Sequence, residues 1–271
     1  MATLDTASIT PADEALVLRR DGDGVATLTL NRPRAYNALS LDLMQALIDA
    51  LDEVGADRTI KAVVLAGAGK GFCAGHDLKE LRANASRPFY EKTFELCSQL
   101  MLGLIRLPQP VIARVHGIAT AAGCQLVATC DLAVAAEDAR FATPGVNIGL
   151  FCSTPMVALS RAVGRKQAME MLLLGEMVPA AKAVDIGLIN RVVPADALVT
   201  ECCDLAAKIV GKSPLVIKTG KEAFYRQIDR SLLEEAYAYT AQVMTENMMA
   251  RDAEEGIDAF IEKRKPAWSG Q

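Results

Sequence analysis

Aromatic side chains make up only 5% of this 271-residue chain, with a single Trp, and histidine occurs twice. Such scarcity leaves little material for a base-stacking surface. Positive charge is not in excess either. The formal net charge is −4, which gives no electrostatic reason to expect a nucleic-acid or anionic-membrane partner. No apolar run approaches the roughly 18 uninterrupted residues of a membrane span. The seven cysteines are odd in number and show no C-x-x-C pairing, which predicts reduced thiols in a reducing compartment. The first residues carry Asp5, Asp13 and Glu14 and no apolar stretch, so neither a signal peptide nor an Arg-rich transit peptide is expected and the predicted location is cytoplasmic. No His/Cys/carboxylate cluster has metal-ligand spacing, and no dinucleotide or P-loop signature occurs. No metal and no permanently bound cofactor are therefore expected.

What the chain does have is apolar material, 51% against 23% charged residues. That suffices for one large core with a small helical piece appended. Residues 1 to about 15 read as a lead-in. Asp21-Gly22-Asp23-Gly24 is a turn signal before an alternating strand, Val25 to Leu30. Ser40 is a candidate N-cap for a helix with Leu41, Met44, Ile48, Leu51 and Val54 on one face. Apolar runs at Ala62–Ala66, Val111–Val115 and Leu132–Ala136 read as buried strands. A long helix through Phe94, Leu100, Leu104 and Ile105 lies between the first two, stopped by Pro108 and Pro110. Alternation of this kind predicts an α/β protein with a mostly parallel sheet. Beyond Gly211-Lys212-Ser213-Pro214 the pattern is wholly helical, giving a core over 1–211 and a helical segment over 212–271.

Two small-residue turns stand out, Phe72-Cys73-Ala74-Gly75-His76-Asp77-Leu78 and Ala119-Thr120-Ala121-Ala122-Gly123-Cys124-Gln125-Leu126. Each follows an apolar strand and leads into a helix. Small side chains let a ligand approach the backbone, and unpaired N–H groups at such a turn are fixed donors. Two turns of this kind could converge on one carbonyl oxygen, the layout of an oxyanion hole.

At these residues the chain resembles the crotonase superfamily, the enoyl-CoA hydratase/isomerase family. Asn31-Arg32-Pro33-Arg34-Ala35-Tyr36-Asn37-Ala38-Leu39 is similar to the family's opening segment. The two turns are similar to its oxyanion loops, and Phe141-Ala142-Thr143-Pro144 and Arg161-Ala162-Val163-Gly164 follow in family order. The stretches Cys73 to Leu81 and Gly149-Leu150-Phe151-Cys152-Ser153-Thr154-Pro155 resemble one branch in particular, the enoyl-CoA hydratase domain-containing protein 3 type. The resemblance implies a crotonase-type spiral of ββα repeats with a C-terminal helical appendage, assembled as a homotrimer or a dimer of trimers. It implies an acyl-CoA thioester as substrate, with coenzyme A present only as part of that substrate, and no nucleic-acid or membrane partner.

Carried over residue by residue, the resemblance places oxyanion donors at the backbone N–H groups of His76 and Ala122. Family hydratases carry glutamates where this chain has Gln125 and Gly145. An amide cannot take up a proton at neutral pH and glycine has no side chain, so ordinary two-glutamate hydration is expected to be absent or very slow. His76 is the side chain best suited to replace them by chemistry, set against a ring that points away while only its N–H matters. Asp77 reads as a helix cap and His116 as a loop histidine. Cys73, Ala74, Gly75, Asp77, Leu78, Gly123, Asn147, Cys152 and Ser153 are expected to line the thioester site. Arg32 is a candidate contact for a CoA phosphate, as are Lys218, Lys221, Lys263 and Lys265. Three readings stay open: a thioester-processing enzyme named as a hydratase by similarity, a methylmalonyl-CoA-type decarboxylase, for which Ala74-Gly75-His76-Asp77 is the similar stretch, and a binding protein without turnover.

Overall fold

The computed structural model describes residues 15–271; the acidic lead-in over 1–14 lies outside the described residues. β1 (Val17–Gly22) and β2 (Val25–Leu30) form a hairpin whose turn puts Asp23 and Gly24 at φ 51° and 76°, the positive values that favour Asp-Gly. β1 carries no clean alternation, so no strand is expected there from residue order. Ser40 caps α1 (Leu41–Ala56) as expected, its hydroxyl accepting from the Leu43 N–H. The buried face of α1 is rotated from the expected one. Leu43, Met44, Leu47, Leu51 and Val54 face inward, while Leu41 and Ile48 are half-buried at its edge.

β3 (Ala62–Gly67) pairs in parallel with β2. The expected single helix after it is two, α2 (Leu78–Ala83) and α3 (Arg87–Arg106), separated around Asn84–Ser86 where Pro88 opens the second. Proline fits the first turn of a helix, where its missing N–H leaves no bond unmade, and cannot continue one from behind. The chain then runs through β4 (Val111–Val115), β5 (Ile118–Thr120), α4 (Ala122–Thr129), β6 (Leu132–Ala136) and β7 (Arg140–Ala142). α5 (Pro155–Ala162), α6 (Arg165–Leu174), β8 (Val178–Pro179), α7 (Ala180–Asp185), β9 (Arg191–Val193) and α8 (Leu198–Val210) follow. The described chain closes with α9 (Pro214–Ile228), α10 (Leu233–Met248) and α11 (Arg251–Ile261).

Six strands form one sheet in the order β1-β2-β3-β4-β6-β9, and β5-β7-β8 form a second, smaller sheet. In the large sheet every pairing except β1–β2 is parallel. Its central strands are almost wholly apolar because both faces are covered, Arg114 of β4 being the half-buried exception. Val63, Leu65, Val111 and Ala113 join the large core with α1, α3 and α4. The alternate residues Ala62, Val64, Ile112 and Val134 meet Leu198, Cys202, Leu205 and Ala206 of α8. The architecture is the expected α/β one, a mostly parallel sheet with a C-terminal run of helices. Among the described residues no helix is long and apolar enough to cross a membrane.

Candidate functional site: two backbone turns facing one helix

The two turns are neighbours in space. Cys73 and Ala119 pair as an isolated parallel bridge; the Thr120 N–H donates to Cys73 O at 2.9 Å and the Cys73 N–H to Ile118 O at 3.1 Å. Gly75 has φ +93°, and a Cβ there would stand 2.8 Å from the Ala121 Cβ and 3.2 Å from the Ala122 nitrogen. A Cβ on Gly123 would sit 2.1 Å from Cys73 O. Only glycine allows this approach at either position.

The bridge partners also fix where the donors point. Leu39 pairs with His76; the Leu39 N–H donates to Gly75 O at 2.7 Å and the Asp77 N–H to Leu39 O at 3.0 Å. In an extended segment successive N–H groups point to opposite sides, so the His76 N–H is turned away from Leu39. It donates to no group among the described residues, nor does the Ala122 N–H, which opens α4, where helix geometry supplies no acceptor. Ala121, just before it, holds φ 50° and ψ −118°, a region that L residues other than glycine rarely enter.

His76 itself is uncharged at neutral pH. Burial pushes its imidazole down to about 4, because charging it would forfeit hydration with no counter-charge in return. Its ring packs edge-on against Phe94 on α3, centroids 5.4 Å apart, and its Nε2 is buried without a partner. The ring thus turns inward, but a group held at about 4 is a weak base near neutrality. Asp77 caps α2 as expected, accepting from the Lys79 and Glu80 N–H groups, and its carboxyl is held below the usual range, with hydrogen bonds from Arg32 and those two N–H groups outweighing the opposing effect of burial. Arg32 is not free for a CoA phosphate. Its guanidinium donates to Asp77 at 2.8 Å and also to Ala38 O, bracing the opening segment against the first turn. Leu78 is half exposed at the start of α2. His116 bonds Gly69 O at 2.9 Å, the loop role expected of it.

Gln125 lies in α4 three residues past Ala122 and is buried, with its Oε1 3.9 Å from the Cys97 thiol of α3. Gly145 sits in a tight 3-10 turn, Pro144–Ile148. It is not merely a glutamate position shorn of its side chain. A Cβ there would meet Leu150 O at 2.7 Å and Cys152 Sγ at 2.9 Å, so the following loop occupies the space. Cys152 accepts from the Gly145 N–H at 3.4 Å, and burial pushes its thiol up. Cys73, Cys97 and Cys124 are likewise raised to about 12 by burial, which leaves all four as protonated thiols rather than nucleophiles. Of the other expected lining residues, Asn147 is exposed and donates to Gly175 O at 3.2 Å, and Ser153 is exposed with its hydroxyl donating to Phe151 O.

Lys221 is another correction. It is buried, paired with Asp131 at 2.7 Å and donating to the Leu104 and Gln109 carbonyls; it anchors α9 to the core instead of facing a phosphate. Lys218, Lys263 and Lys265 are exposed. One organising residue carried no assigned role in the sequence, Asn37. Fully buried at φ 54°, it donates through Nδ2 to the carbonyls of Ala68, Gly71 and Phe72 and accepts from the Arg32 N–H. It holds the first turn in shape, and its only local signal was that Asn tolerates positive φ.

The mostly parallel α/β fold and the two paired backbone turns agree with what the resemblance to the crotonase superfamily implies. The family model described as enoyl-CoA hydratase/isomerase matches residues 20–271, and the chain belongs to that family. A solved enoyl-CoA hydratase from Mycobacterium smegmatis is similar to it, with 58% identity, a TM-score of 0.92, and coverage of 94% of this chain and 99% of that one. So is the human enoyl coenzyme A hydratase domain-containing protein 3, at 45% identity, TM-score 0.90, over 93% and 100% of the two chains. The rat protein of that name is 44% identical over 95% of this chain and 86% of its own length. These findings bear out the resemblance to the domain-containing protein 3 branch. They overturn the cytoplasmic expectation, since the curated vertebrate relatives at 43–46% identity are named as mitochondrial proteins.

Proposed function

We propose that this protein binds an acyl-CoA thioester with its carbonyl oxygen between the backbone N–H groups of His76 and Ala122 and stabilises the thioester enolate there. The observation that carries this reading is the approach of the two turns, with a Gly75 Cβ position 3.2 Å from the Ala122 nitrogen and both N–H groups unclaimed. Preorganised donors of this kind act on charge that develops at an acyl oxygen. Coenzyme A enters with the substrate and no other cofactor is required. Cys73, Ala74, Gly75 and Gly123 serve as wall and backbone of the site, and Cys152 closes it beside Gly145.

Hydration by a pair of carboxylates is not the chemistry this site favours. Gln125 is an amide, Gly145 is roofed by Leu150, and His76 stays neutral. A single positioned acid or base contributes ~10²–10⁴-fold. Crotonyl-CoA hydration by the native protein is therefore expected to be feeble despite measurable thioester affinity. Gln125→Glu is expected to raise it by ~10²-fold, while adding Gly145→Glu brings no further gain because its side chain collides with the Leu150 backbone. Calorimetry with butyryl-CoA and acetoacetyl-CoA, alongside a hydration assay, tests the reading. Absence of binding by every thioester sinks it, and brisk native hydration shows that another group moves the protons.

Assembly as a homotrimer or a dimer of trimers goes with this reading. Met244, Met249 and Phe260, on and beside α10 and α11, are 61%, 84% and 84% exposed in the single chain, apolar surface that a soluble protein covers by association. The segment over 212–271 is on this view the trimerisation and site-covering part. Light scattering should give three or six chains.

A further inference from the structure

The side chains of α11 do little to hold it in place. Of its 11 residues only Asp252 and Ala259 are buried, and the large apolar ones, Ile257, Phe260 and Ile261, are exposed. A helix this short is marginal in water by propensity alone, so its position is fixed from outside. The chain that follows it supplies the means. Lys263 stands at φ 57°, the left-handed conformation that ends many helices. Its N–H donates to Phe260 O at 3.3 Å and the Arg264 N–H to Ala259 O at 3.0 Å, which closes the last turn and sends the chain back along α11. Arg264 then binds Glu255 through both of its terminal nitrogens, at 2.6 and 2.9 Å, and the Ala267 N–H donates to the same carboxylate at 2.7 Å.

The returning segment ends on two anchors. The Trp268 indole N–H donates to Gly211 O, at the end of α8, at 2.9 Å. The ring lies against Gly256, where a Cβ would stand 3.1 Å from it. Glycine inside a helix costs about 1 kcal/mol relative to alanine, and the indole is what this glycine makes room for. The second anchor is Asp252. Its carboxylate accepts from the Ser269 N–H and hydroxyl at 2.7 and 2.8 Å, from the Gly270 N–H at 3.0 Å and from the Ser213 hydroxyl at 2.5 Å. Ser213 is itself the N-cap of α9. Hydrogen bonds to an ionised group are the stronger kind, and here one buried carboxylate joins α11, the start of α9 and the returning chain. We propose that residues 264–271 are a strap that clamps α11 to the joint between α8 and α9, with Asp252 as its clasp. The strap opens as one unit and releases α11 while the sheet and its covering helices stay folded, since segments with little buried apolar surface are the ones that open locally. This goes beyond the thioester reading and does not depend on it.

Trp268 is the chain's single tryptophan, so its emission reports the strap alone. In the native protein that emission should lie to the blue of a free indole and be shielded from acrylamide. Hydrogen exchange read by mass should show the α11 amides opening together, ahead of those of β3 and β4. Asp252→Asn keeps the shape of the clasp and removes its charge. It should shift the emission to the red and speed α11 exchange about tenfold or more, the scale of a lost hydrogen bond to a charged group, with β3 and β4 unchanged. Gly256→Leu separates the strap from helix propensity. Leucine is the better helix former, yet its side chain displaces the indole, so α11 exchange should again rise about tenfold. The emission of a free indole in the native protein overturns the proposal, as does an emission that neither variant shifts. So does α11 exchange that is unchanged or slower in Gly256→Leu once the indole is released, because the helix then stands without the strap. An equal rise in β3 and β4 overturns it too, since α11 would then open only with the whole molecule. If Asp252→Asn does not fold, Gly256→Leu alone decides.

Discussion

The half of the site that would meet a carbonyl oxygen and the half that would move a proton are built from different materials. The first is backbone. The two turns are locked together by the Leu39–His76 and Cys73–Ala119 bridges, and the chain entering the first turn by the three-carbonyl clamp of Asn37. The second is side chains and the loop after Gly145, where an amide, buried thiols and the Leu150 carbonyl stand where the resemblance would put glutamates. Backbone donors tolerate a change of residue as long as the path is kept, whereas proton transfer depends on which side chain is present. Evolution of a new acyl chemistry on this fold can therefore leave the first half alone and rewrite the second.

The largest effect separating the two halves is expected from a single methyl group. Gly123→Ala drives a Cβ into Cys73 O at 2.1 Å, and that oxygen is held by the Thr120 N–H inside the paired turns. Nothing there can yield, so the loss of stability should reach about 4 kcal/mol or more, with thioester binding lost as well. Gly145→Ala meets Leu150 O at 2.7 Å and Cys152 Sγ at 2.9 Å, but residues Asn147 to Phe151 are exposed and can shift. A cost of about 1–2 kcal/mol is expected there. Denaturant melts of the two variants side by side check this. Equal losses would erase the distinction between a rigid and a yielding half.

The second effect probes the buried neutral histidine that lies between them. An unfolded His76 titrates near 6.5, while the folded one is held at about 4 by burial. Between those values the unfolded chain binds more protons than the folded one, so stability rises with pH there and is lost on acidification. The loss from this residue is complete by about pH 4 and amounts to about 3 kcal/mol. Urea melts from pH 7 to 4.5 on the native protein and on His76→Phe should show a flatter profile for the variant. Matching profiles would mean that the ring is hydrated and ionises normally.

Much of this arrangement was legible from residue order alone, and the exceptions share a cause. Strands at Ala62, Val111 and Leu132 announce themselves because burial on both faces leaves them apolar at every position but Arg114. The two turns announce themselves because close approach demands small residues in consecutive positions. What stayed hidden depends on partners distant in sequence. Arg32 reads as a surface phosphate contact until Asp77, 45 residues on, is seen to hold it, and Lys221 does so until Asp131 appears. Asn37 gives no hint of the three carbonyls it gathers. At Gly145 the missing side chain was visible, but not that the Leu150 carbonyl had taken its place, because the filling group is main chain and identical in every residue.

The smallest expected effect lies within the rigid half and asks whether its strain is useful. Ala121 holds φ 50° and ψ −118°, with its Cβ 2.8 Å from where a Gly75 side chain would begin. A non-glycine residue in such a region costs about 1–3 kcal/mol, while glycine's greater freedom in the unfolded chain costs about 0.5–1 kcal/mol. Ala121→Gly should therefore stabilise the protein by about 1 kcal/mol, a rise of about 2–4 °C in Tm. A fall in Tm would show that the Ala121 methyl, packed on the edge of the large core, contributes more than its backbone strain removes. Thioester affinity measured on the same variant carries the functional half of the question. If Tm rises and affinity is unchanged, the strain is incidental to a turn that has lost its glycine. If Tm rises and affinity falls, the strained alanine is holding the Ala122 N–H on the carbonyl, and the turn trades stability for the aim of its donor.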